Sequence, residues 1–107
     1  MKLYGLKNCD TCKKAQKALV GAGYDVEFID VRADGVSPEN LSRFYAEFDQ
    51  ALVNTRSTTW RGLSELERES PALDLLAKHP TLMKRPVVEH NSALTLGWAK
   101  DVQQKYL

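Results

Sequence analysis

Apolar positions alternate between two spacings along the first half of the chain. Lys2 to Leu6 is a short run centred on Leu3 and Tyr4, the length of a strand. Lys7 to Thr11 is polar and turns the chain. A helix is expected from there to about Val20, because Ala15, Ala18, Leu19 and Ala22 fall roughly on one face. Gly21-Ala22-Gly23 stops it. Tyr24 to Val31 is rich in β-branched and aromatic residues and reads as a second strand. Asp34-Gly35 is a turn. Ser37 is placed to cap a helix opening on Pro38, whose missing N–H would have no partner there anyway. Leu41, Phe44, Tyr45 and Phe48 then make one apolar stripe.

The second half is less regular. Asn54 to Gly62 carries three threonines and two arginines and is expected to be a polar loop. Leu63 to Glu69 is charged and suits a brief helix. Ser70-Pro71 repeats the Ser-Pro start, and the helix from Ala72 must end before Pro80. Val87 to Glu89 and Ala93 to Leu96 are strand candidates around a turn at His90-Asn91. Gly97 breaks the second, and Trp98, Val102 and Tyr106 give a closing helix an apolar side. No repeat or linker interrupts the chain. Residues 1–107 are therefore expected to form one domain with a helical insertion at about 37–80. The element order predicts an α/β, thioredoxin-like fold with a mixed four-stranded sheet flanked by helices. Its first two strands should be parallel, joined through the first helix.

A chain of 107 residues can bury a core without staples. Its net charge of +1 gives no bulk field toward nucleic acid or an anionic membrane. No apolar run approaches the roughly 20 residues of a membrane span. Met1-Lys2-Leu3-Tyr4-Gly5 leads into a strand with no secretory pattern, so the cytoplasm is the expected compartment, and a monomer the expected state. A structural disulfide tends to be reduced there, which moves the chain's two cysteines toward redox chemistry, catalysis or metal binding.

Both lie in Cys9-Asp10-Thr11-Cys12, where the first strand turns into the first helix. A sulfur at that point meets the free N–H groups of a helix N-terminus, which favour a thiolate. Lys13, four residues on, adds positive charge on the same helical face, and Asp10 opposes it. Cys12 can reach Cys9 and resolve a mixed disulfide or a sulfenic acid on it. The plainer alternatives are an inert, buried Cys9 and a Cys12 that fills space against the sheet. Zinc needs more than two ligands, and His79 and His90 lack the usual close spacing, so no metal is expected. Arg85 offers a fixed charge and a planar fork to a thiolate, a carboxylate or a sulfur oxyanion. Its alternative is a surface arginine before a structural proline. Arg56 and Arg61 are cations of the polar loop. Trp60 and Trp98 are expected in the core, and His79 and His90 exposed beside turns.

Three motifs in order then carry a family resemblance: Tyr4-Gly5-Leu6-Lys7-Asn8-Cys9-Asp10-Thr11-Cys12-Lys13-Lys14-Ala15, Asn54-Thr55-Arg56-Ser57-Thr58-Thr59-Trp60-Arg61, and Leu82-Met83-Lys84-Arg85-Pro86-Val87-Val88. Together they resemble the arsenate reductase/Spx family, and its YffB-type branch most. The resemblance implies that Cys9 is the nucleophile, that Arg85 is the arginine preceding a proline near the third strand, and that Pro86 has a cis peptide bond. It raises Arg56 above Arg61 as a cleft residue. It also implies reduction of a thiol-linked or oxyanion substrate, often with glutathione. Arsenate reductases of the family carry a further arginine after the final strand. Here Leu94-Thr95-Leu96-Gly97-Trp98-Ala99 holds none, which counts against arsenate, since a tetrahedral oxyanion needs several fixed donors.

The leading expectation is a glutathione-dependent thiol oxidoreductase with no bound cofactor, glutathione being a co-substrate. Cys9, Cys12 and Arg85 are its catalytic candidates. Asn8, Lys13, Arg56, Arg61 and Pro86 are its substrate-binding candidates. The alternatives are a redox-sensing regulator that binds RNA polymerase, as in the Spx branch, and an arsenate reductase.

Overall fold

The computed structural model describes every residue from 1 to 107. The chain divides into two compact units, Met1–Asp34 with Arg85–Leu107, and Gly35–Lys84. The stretch expected as a helical insertion falls inside the second.

In the first unit, β1 (Lys2–Gly5), β2 (Glu27–Asp30), β3 (Val87–His90) and β4 (Ala93–Leu96) form one sheet in the order β2-β1-β3-β4. β1 pairs parallel with β2, Leu3 opposite Phe28, and antiparallel with β3, Leu3 opposite Val88. A parallel pair needs a crossover, which α1 (Asp10–Gly21) supplies. β3 and β4 form a tight hairpin with Asn91 and Ser92 at φ 51° and 67°. Two left-handed residues in a row make a type I′ turn, so the turn lies one residue beyond the expected His90-Asn91. α6 (Lys100–Tyr106) closes the unit. This is the mixed four-stranded sheet of a thioredoxin-like fold.

The core of this unit is Leu3, Cys12, Ala15, Leu19 and Val88, where α1 meets the central strands. The buried face of α1 is therefore Cys12-Ala15-Leu19, at spacings of three and four. Ala18 is half-buried and Ala22 exposed, so the expected face is rotated toward the cysteine. The helix exits through Gly23 at φ 97°, where a side chain would be strained. β2 is shorter than Tyr24 to Val31. Tyr24 instead gives its N–H to Leu19 and its hydroxyl to the Tyr106 carbonyl, at 3.1 and 2.9 Å. His90 packs edge-on against Tyr24, ring centroids 5.2 Å apart, so it is half-buried rather than exposed beside a turn. Trp98 lies before α6, not within it, and stacks on Tyr106.

The second unit contains α2 (Pro38–Phe48), α3 (Thr58–Arg61), α4 (Glu65–Arg68) and α5 (Ala72–Lys78), with α2 packed on α5. Leu41, Phe44, Leu52, Leu75, Leu76 and Leu82 are buried in it. The Ser37 hydroxyl accepts from the Asn40 N–H at 3.2 Å and Pro38 opens α2, as its sequence demands. Ser37→Ala should therefore cost about 1 kcal/mol, read as a lower urea midpoint at unchanged slope. The expected polar loop contains the helical turn α3, because the Ser57 hydroxyl accepts from the Trp60 N–H at 3.1 Å. Trp60 is half-buried under the Arg68 guanidinium, 5.4 Å from its ring centroid. Ser64 and Glu67 form a capping box for α4. Ser70 does not cap α5. Its N–H bonds the Glu67 carbonyl at 3.0 Å, and α5 starts on Pro71 without a side-chain cap. His79 is half-buried at the end of α5. No helix of the chain is long and apolar enough to cross a membrane.

Candidate active site

Cys9 is the N-cap of α1. Its backbone is extended, at φ −94° and ψ 117°, and its carbonyl accepts the Lys13 N–H at 3.0 Å. Its own N–H reaches back to the Leu6 carbonyl at 3.2 Å, closing the turn that links β1 to α1. Its sulfur stands over the first turn of α1, toward the Cys12 N–H at the third helical position. It is half-buried rather than sealed in the core. Burial pushes its thiol up, but four influences outweigh that. The Cys12 N–H, the Cys12 thiol, and the hydrogen bond and positive charge of Arg85 bring it below the ordinary thiol value.

Cys12 is fully buried at 0% exposure. Its sulfur lies against the β1 backbone: a Cβ on Gly5 would fall 2.6 Å from it. Burial pushes this thiol up to about 12; a hydrogen bond with the Leu6 backbone is the main opposing influence, the bond and charge of Cys9 add to the rise, and the Arg85 charge opposes it. Cys12 thus keeps its proton at neutrality and donates it to the Cys9 sulfur. Cys12 is packed against the sheet, as the space-filling alternative expects.

The two thiols act oppositely on stability. The lowered Cys9 contributes stability above its unfolded value of about pH 8.5, and loses it as pH falls through the folded value. The raised Cys12 contributes fully below about pH 8.5, and loses its contribution as pH rises toward about 12.

Arg85 is half-buried and precedes Pro86 through a cis peptide bond. Pro86 is buried, and its carbonyl accepts the Gly97 N–H at 2.8 Å, fixing the entry to β3. That entry carries the guanidinium to Cys9. Cys9, Cys12, Arg85 and Pro86 therefore come together from α1 and the start of β3. Lys13 is exposed and lines a cavity with Lys7, Gln16 and Phe28; it is not among the groups that lower the Cys9 thiol. Asn8 is exposed in the turn before Cys9. Arg56 and Arg61 are exposed and belong to the second unit. The Arg56 N–H bonds Asn54 Oδ1, and Arg61 ends α3. No group of three or more His, Cys, Asp or Glu side chains converges. The sequence reading passed over Gly5 and Leu6. A glycine inside a strand beside a cysteine helix was the available signal for Gly5.

The ArsC family model matches residues 4–106. An uncharacterized protein of Haemophilus influenzae is 41% identical over 101 residues, 90% of this chain and 89% of that one. The global transcriptional regulator Spx of Streptococcus pyogenes is 26% identical over 106 residues, 94% of this chain and 79% of the regulator. Among solved structures, a YFFB protein superposes with a TM-score of 0.87 at 32% identity, covering 99% of this chain and 97% of its own. An arsenate reductase (ArsC) related protein from Brucella melitensis superposes at 0.75 and 35%, covering 98% and 92%. A thiol-redox fold matched over nearly its whole length, with its cysteine at the helix start and its arginine before the cis proline, makes this chain a member of the ArsC family.

Proposed function

We propose that the protein is a thiol oxidoreductase with Cys9 as nucleophile and glutathione as reductant. The carrying observation is the lowered Cys9 thiol, held at a helix N-terminus between the Cys12 thiol and the Arg85 guanidinium. The Cys9 thiolate attacks one sulfur of a substrate disulfide. A sulfur–sulfur bond forms to Cys9, and the other substrate sulfur leaves as a thiolate and takes a proton from water. A glutathione thiolate then attacks the mixed disulfide at the Cys9 sulfur and releases the second substrate thiol. A second glutathione frees Cys9 and leaves as glutathione disulfide. Substrate gains two electrons and two protons, and two glutathiones are oxidised. Arg85 stabilises the sulfur anion each time it is Cys9 that leaves. The backbone beside Pro86, at the entry to β3, suits a peptide thiol laid alongside as an added strand.

Glutathione-dependent reduction of hydroxyethyl disulfide tests the reading, and no turnover above the uncatalysed rate would overturn it. Arg85→Gln should move the pH profile of Cys9 alkylation by iodoacetamide upward by about one unit and slow the reaction about tenfold at neutral pH. An unmoved profile would remove Arg85 from the mechanism.

A second reading rests on the adjacency of the two sulfurs and the likeness to Spx. In it, Cys9–Cys12 oxidation changes binding to RNA polymerase. Capture of the polymerase by one redox state and not the other would favour it over the enzyme. Arsenate reduction has the weaker support, because residues 94–99 hold no arginine.

A further inference from the structure

The cavity lined by Lys7, Lys13, Gln16 and Phe28 measures about 330 Å³. Lys7 comes from the turn after β1, Lys13 and Gln16 from one surface of α1, and Phe28 from the edge strand β2. The lining is two ammonium groups, one amide and one phenyl ring, and no acid lines it. A few convergent polar groups around an apolar wall are what small-ligand sites present, and the volume is at the lower end for them.

Charge favours an anion here. Residues 7–17 hold four lysines against Asp10, in a chain whose net charge is only +1. Asp30 is the acid whose field meets Lys7, and its carboxylate is already occupied. It accepts the N–H groups of Arg32, Ala33 and Lys7 at 2.9, 3.0 and 3.3 Å. The Ala33 N–H does most to hold that carboxyl below its usual range, burial opposes it, and the other two N–H groups and the Lys7 ammonium assist.

Position relates the cavity to the nucleophile. Lys13 stands four residues after Cys9 on the same helix, a rise of about 6 Å. That is the reach of a carboxylate one residue beyond a sulfur bonded to Cys9. Resting on the thiol-reductase reading, we propose that this cavity is a carboxylate subsite. It takes the free C-terminal carboxylate of a peptide thiol and so selects acids over esters. The glycine end of glutathione fits this requirement better than its γ-glutamyl end, where an ammonium beside the carboxylate would be repelled by both lysines.

S-Methylglutathione, which has no free thiol to react with Cys9, and its glycine ethyl ester provide the test. Binding is followed by amide shifts of the ¹⁵N-labelled protein. The acid is expected to bind about fivefold tighter than the ester, the worth of two exposed cation contacts. Lys7→Gln/Lys13→Gln should erase that preference, and Lys14→Gln, on the same helix outside the cavity, should keep it. All three side chains are exposed, so folding is not at stake. Absent binding, equal binding of acid and ester, or equal loss of preference in Lys14→Gln would overturn the subsite. None of these outcomes touches the nucleophile, because the probe cannot react. Conversely, acid-selective binding without disulfide reduction would overturn the proposed function and leave the subsite standing.

Discussion

Cys9→Ser should abolish disulfide reduction, by at least about a thousandfold, while leaving the protein as stable as before or more so. A serine hydroxyl does not ionise near neutrality, so the attacking anion is lost. Stability moves the other way because of where the residue sits. Cys9 is the N-cap of α1, and its sulfur is a weaker acceptor for the Cys12 N–H than a hydroxyl oxygen would be. Serine is among the preferred caps, and its oxygen would accept an orphan N–H of the first turn, a gain of up to about 1 kcal/mol. A cysteine kept where serine would hold the helix better is a cysteine kept for its sulfur. The measurements are glutathione-coupled turnover and thermal unfolding on the same preparation. Turnover within tenfold of wild type would end the nucleophile assignment. A fall in melting temperature would show that the cysteine supports the helix after all.

Gly5→Ala should destabilise the protein by about 1–3 kcal/mol and raise the pH at which Cys9 alkylates. The added carbon would lie 2.6 Å from the Cys12 sulfur, 3.1 Å from the Cys12 Cβ and 3.3 Å from Leu3 Cδ2. Overpacking of that kind costs about the quoted amount. Relief requires α1 to lift from β1 or the sulfur to turn, and either takes the donor from Cys9. Gly5→Ala/Cys12→Ala separates the two effects. Removing the sulfur makes room, so most of the stability should return, with a coupling of about 1–2 kcal/mol in the cycle. The Cys9 alkylation profile should stay shifted, because no thiol remains to donate. Equal destabilisation of the single and double variants would mean that strand preference, not the sulfur contact, explains the glycine.

Strands and helices governed by local signals were legible in the residues. Ser37-Pro38 capped and opened a helix as its chemistry requires, and the last two strands were found within a residue. What failed depended on distant or subtle partners. The turn at Thr58–Arg61 is held by one serine hydroxyl inside a stretch that reads as polar loop. Ser70 resembles Ser37 in sequence, but α5 opens one residue later relative to its serine, so Pro71 and not Ser70 stands at the cap position. His90 looked solvated because Tyr24 and Tyr106 are far from it in sequence. At the site, the helix-start cysteine was visible from its spacing. The arginine pairing came from family resemblance, because no local pattern links residue 85 to residue 9. Lys13 lies four residues along the helix from Cys9, and where its long side chain reaches is set by the surrounding fold rather than by that spacing.

The Cys12 sulfur, shut between helix and strand, has a use beyond the chemistry of its neighbour. In the folded protein an alkylating reagent should add once, at residue nine, and a second adduct should appear only when α1 lifts from the sheet. The second adduct's rate is therefore a built-in clock for local opening, readable by mass alone and free of any engineered probe.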